Sequence, residues 1–71
     1  MSQEVVNKIE KYFNTVIYRI ALVSIGTDEK VFVHVLKSYD PDGTRLDTIK
    51  KMFIDNPLVV VSSIGDIVAQ S

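Results

Sequence analysis

Apolar residues recur at helical spacing near the start of the chain, where Val5, Ile9, Tyr12 and Phe13 share one face. Ser2 can cap this helix, and Glu4 lies favourably against its dipole. The pattern predicts a first helix over residues 3–13. Asn14 follows as a left-handed stop, because its side chain tolerates positive φ better than most.

The period then changes. Residues 15–25 read TVIYRIALVSI and residues 30–39 read KVFVHVLKSY, both dense in β-branched side chains. Gly26, Thr27, Asp28 and Glu29 form a turn cluster between them, so the two runs predict a β-hairpin.

Its register decides which side chains share a face. Placing Ile25 opposite Val31 would bring Arg19 opposite Lys37, a like-charge pair. Placing Ile25 opposite Lys30 avoids that and gathers Val16, Tyr18, Ile20, Leu22, Val31, Val33 and Val35 on a core face. The second register is the one preferred here. Its opposite face holds Ile17, Arg19, Ala21, Val23, Ile25, Phe32, His34, Leu36 and Ser38.

Asp40-Pro41-Asp42-Gly43 is a turn signal: Pro presets φ, Gly accepts positive φ, and the carboxylates can accept from nearby amides. Thr44 and Asp47 have capping-box spacing and open a second helix with a buried stripe of Leu46, Ile49, Met52 and Phe53. Lys50, Lys51 and Asp55 face water, and Asn56-Pro57 ends the element. Residues 58–62, LVVVS, read as a central strand buried on both faces. The tail from Ser63 to Gln70 fits a last helical turn or a short strand, IVAQ, with the strand favoured by Ile67 and Val68.

The predicted class is α+β in one domain over residues 1–71, in the order α-β-β-α-β with one further strand at the end. Two helices on one face of an antiparallel sheet would form a two-layer sandwich. The order resembles a ferredoxin-like fold lacking its first strand, whose place a C-terminal strand or another chain's strand could take. On VFVHVLKSYDPD and the helix that follows, the order also resembles the cytoplasmic C-terminal domain of cation diffusion facilitator transporters. That resemblance implies paired, metal-binding domains, but His34 is the only histidine where those domains use several ligands.

Composition narrows the chemistry. The chain has 71 residues and no Cys, so neither a disulfide nor a thiolate metal site supports the fold. Eight basic and nine acidic residues alternate in sign, which disfavours nucleic acid as a partner. The longest uncharged run, residues 56–65, is too short to span a bilayer, and charges occupy the N-terminal stretch. The expectation is a cytoplasmic protein with no membrane partner.

Gly26, Gly43 and Gly65 stand alone, so no phosphate-cradling loop is present. Asp40, Asp42 and Asp47 are close in sequence, but position 49 is Ile where a calcium loop needs Glu. A turn and a helix cap account for all three. His34 has only Ser24 and Ser38 on neighbouring strand positions, which makes no catalytic pair. No catalytic residue, cofactor site or metal site is assigned, and His34 is the one metal candidate.

The second sheet face carries the functional expectation. Burying each of its large apolar side chains is worth about 1.5–3 kcal/mol before the cost of association. The sequence therefore predicts a homodimeric protein-interaction or regulatory module without catalytic activity, whose interface comprises Ile17, Val23, Ile25, Phe32, His34 and Leu36. The alternative is a metal- or small-ligand-sensing domain centred on His34 at the dimer interface. In a symmetric pair His34 would meet its mate.

Overall fold

A computed structural model describes residues 2–65. Helix α1 spans Ser2–Phe13, strand β1 Ala21–Ile25, β2 Val31–Leu36, helix α2 Thr44–Met52 and β3 Val59–Ile64. The class is α+β, with two α-helices and a three-stranded mixed sheet ordered β1-β2-β3 among the described residues.

Helix α1 ends where expected: Asn14 takes a φ of 54° and the Thr15 amide donates to Glu10 O at 3.2 Å. The chain does not then enter a strand. Ile17–Arg19 forms a turn of 3₁₀ helix, tied to α1 by the Ile17 amide, which donates to Glu10 Oε2 at 2.7 Å. The strand predicted from residue 15 therefore begins only at Ala21. β-Branched residues in 15–20 suggested an extended chain, but a carboxylate reaching from α1 satisfies the backbone of a tighter one.

That shortening also changes the hairpin register. β1 and β2 are antiparallel, with Ile25 opposite Val31, Val23 opposite Val33 and Ala21 opposite Val35. The preferred pairing of Ile25 with Lys30 is corrected to the one set aside. Arg19 lies in the 3₁₀ turn and Lys37 beyond β2, so the like-charge pair that argued against this register does not form. The Gly26 amide donates to Lys30 O at 2.8 Å, closing a loop in which Asp28 and Glu29 have φ of 58° and 60°.

The slip exchanges the two faces of β1. Ala21 is buried, whereas Val16, Tyr18 and Leu22, expected in the core, are exposed. Ile20, Val31, Val33 and Val35 are buried as read from the sequence. Alternate strand residues Ala21, Val31, Val33 and Val35 pack with Val5 and Ile9 of α1, Ile49 of α2 and Phe53 just after it. Val59 and Val61 of β3 pack against the same cluster, so the core lies on one face of the sheet.

β3 pairs with β2 in parallel, His34 opposite Ser62 and Leu36 opposite Ile64. The expected antiparallel sheet is thus corrected to a mixed one: a strand returning through a helix runs the same way as its predecessor. Among the described residues β3, expected to be central, lies at an edge. β2 occupies the middle, and β3 lies beside it with no gap for an inserted strand. The last strand or helical turn expected after Gly65 lies outside the described residues.

Asp40 sets the start of α2. Its buried carboxylate accepts from the Arg45 amide at 2.9 Å and the Leu46 amide at 3.0 Å. The capping box expected of Thr44 and Asp47 does not form: Thr44 is already helical, and Asp47 instead pairs with Lys51 at 3.3 Å. Gly43, at φ 79°, provides the left-handed step that lets Asp40 fold back on the helix.

Candidate interaction surface

The face of the sheet opposite the core is formed by Leu22 and Ser24 of β1, Phe32, His34 and Leu36 of β2, and Val60, Ser62 and Ile64 of β3. Each set falls on one side because strand side chains alternate. Among the described residues no helix packs on this face. Leu22 is 43% exposed, while Phe32, His34, Leu36, Val60 and Ile64 are half-buried by one another and the adjoining backbone.

Two contacts order the centre. His34 Nδ1 is hydrogen-bonded to Ser62 Oγ at 3.0 Å across the β2–β3 pair. The imidazole also lies parallel to the Phe32 ring, with centroids 6.2 Å apart and 5° between planes. The Phe32 ring in turn lies against the backbone of Gly26 at the foot of the hairpin. The face is therefore largely apolar, with the bonded His34–Ser62 pair near its middle and the exposed Ser24 on β1.

Phe32, His34 and Leu36 occupy this face as the sequence analysis proposed. Ile17 and Val23 do not: both pack against the core cluster on the helix side. Ile25 shares the side of β1 with Val23 but is 66% exposed at the strand end. The register slip accounts for Val23 and Ile25 and puts Leu22 in their place, while Ile17 is displaced because it lies in the 3₁₀ turn before β1. Leu22 could have been found by accepting the Ile25–Val31 pairing. Val60, Ser62 and Ile64 could not, because nothing in LVVVSSI specifies its alignment with β2.

The other candidate groups are engaged in structure. His34 lies opposite Leu22, not beside Ala21, and its polar partner is Ser62, not Ser24 or Ser38. Asp42 accepts from the Thr44 hydroxyl at 2.8 Å and the Thr44 amide at 3.2 Å. These bonds, the hydroxyl's foremost, hold its carboxyl below the ordinary value of 3.8. Among the described residues no three His, Cys, Asp or Glu side chains gather as a metal-binding group. Lys8 donates to Met52 O at 3.3 Å and lies 5.2 Å from the Phe53 ring centroid, closing α1 against the end of α2.

No helix among the described residues is long and apolar enough to cross a membrane. No family model, curated protein or solved structure matches the chain. The likeness to cation diffusion facilitator domains gains nothing from these comparisons, and any function must be argued from the surface itself.

Proposed function

We propose that the protein is a homodimeric interaction or regulatory module that self-associates through the face bearing Leu22, Phe32, His34, Leu36, Val60 and Ile64. The carrying observation is that five large apolar side chains share a face on which no described helix packs, while both helices serve the opposite one. Against a second copy the His34–Ser62 bond can be buried intact, and the second ring nitrogen of His34, which has no partner among the described residues, requires one from across the pair. Each copy is a two-layer sandwich with its two helices on one face of its sheet, and the pair buries the opposite faces. The absence of catalysis and a cytoplasmic setting, both taken from the sequence, belong to the same proposal. Among the described residues no cluster of His, Cys, Asp or Glu supports the alternative of a sensing domain centred on His34.

Sedimentation equilibrium across a wide concentration range tests the reading. The wild type is expected to associate, and Leu36→Glu is expected to stay folded by circular dichroism while its particle mass falls. A wild type that remains a single chain at millimolar concentration would overturn it.

A further inference from the structure

The open face is small. Three strands spaced by about 4.8 Å and six residues at about 3.3 Å each give a plane on the order of 300 Å². A standard interface buries about 800 Å² per partner. The neighbouring outer edge of β1, unpaired among the described residues, offers a way to enlarge the sheet, and we infer that β1 is a self-pairing edge. A second copy of the chain adds its own Ala21–Ile25 antiparallel, joining two three-stranded sheets into one.

The backbone phase carries the argument. The Leu36 amide donates to Ile20 O at 3.0 Å, and the Gly26 amide to Lys30 O at 2.8 Å. With the register of the hairpin, this directs the backbone groups of Leu22 and Ser24 toward β2 and those of Ala21, Val23 and Ile25 outward. Among the described residues none of these outward groups has a hydrogen-bond partner.

An antiparallel mate centred on Val23 sets Ala21 against the mate's Ile25 and Val23 against the mate's Val23. Every outward amide then meets an outward carbonyl. The strand is its own complement; an extended backbone of any sequence offers the same groups, and it is the side chains that favour a second copy of this chain.

The side chains agree with that register. Beside β1 runs an open cleft of about 610 Å³, walled by Val6, Ile17 and Tyr18. Ile25, 66% exposed at one end of the strand, would lie over the mate's small Ala21 and enter the mate's cleft. ALVSI contains no charge or proline, the usual means of blunting a free edge. The outer edge of β3 is less available, since the Val59 amide donates to Asn56 O at 3.2 Å.

This pairing stands on β1 alone and holds whether or not the open face is covered. If both contacts form with perpendicular, intersecting two-fold axes, the closed particle contains four chains.

Amide hydrogen exchange on the wild-type chain tests the edge directly. The outward amides of Ala21, Val23 and Ile25 are expected to be protected like the inward amides of Leu22 and Ser24. In Leu36→Glu, which removes the face contact, that protection is expected to persist in a particle of two chains. Ile25→Pro deletes an outward donor without touching the β1–β2 ladder and is expected to release the Ala21 and Val23 amides and halve the particle mass.

Free exchange at all three outward amides in the wild type would overturn the inference. So would their protection in a single-chain particle, which would assign the edge to residues 66–71. An unchanged particle mass in Leu36→Glu with the amides still protected would instead retain the edge and reject only the face.

Discussion

The ring of Phe32 lies against the backbone of Gly26 so closely that a Cβ at position 26 would overlap it. Gly26 itself has φ −98° and ψ −167°, extended values open to any residue. Its requirement for glycine is therefore one of space. Gly26→Ala is expected to destabilise the fold by about 1–3 kcal/mol in urea unfolding, the range for overpacking. Adding Phe32→Leu should recover most of that loss, since the smaller side chain can retreat. A cycle with no coupling between the two positions would show that the ring does not rest there.

Asp40 presents a different dependence. Removing its carboxylate leaves the amides of Arg45 and Leu46 without their acceptors, in a place that is 6% exposed. Asp40→Ala is expected to cost about 2 kcal/mol, at the upper end of helix caps because two amides are involved. Asp47→Ala removes only an exposed pair with Lys51 and is expected to cost under about 0.5 kcal/mol. If denaturation finds the two variants equally stable, the cap assignment is wrong.

These two residues also show what could be read before the structure was known. DPDG marked the turn and Leu46, Ile49 and Phe53 marked the buried stripe, because turn chemistry and helical period are local. The identity of the capping carboxylate was not legible, since Asp40 reaches past Gly43 only when that glycine adopts its left-handed step. The open face was half legible for a similar reason. Phe32, His34 and Leu36 follow from alternation within one strand, whereas Leu22 depends on a hairpin register and Ile64 on a parallel pairing across a helix.

Asp42 gives a prediction in pH. Its folded carboxyl is lowered from 3.8 chiefly by the Thr44 hydroxyl, so the ionised form is favoured by folding. The linked stability is present above the unfolded value and is lost as pH falls through the lower, folded one. Carboxyl NMR titration should show Asp42 ionising below 3.8, and Thr44→Val should move it upward while leaving the Thr44 amide bond in place. No upward movement in Thr44→Val would mean that the hydroxyl does not set the shift.

Adjacent residues on β1 give the sharpest test of the register, because the two candidate pairings assign them opposite roles. With Ile25 opposite Val31, Leu22 points to the open face and Val23 toward Val5, Ile9 and Ile49. Leu22→Lys is then expected to fold with little loss of stability and with weakened self-association, since its side chain is already 43% exposed. Val23→Lys puts an ammonium against the core, where no described carboxylate bonds to it, and is expected to cost about 3 kcal/mol or to unfold the chain. With Ile25 opposite Lys30 the two outcomes would be exchanged. Thermal melts of both variants, read beside their masses in solution, therefore decide between the pairings, and a stable, dissociated Val23→Lys would restore the rejected one.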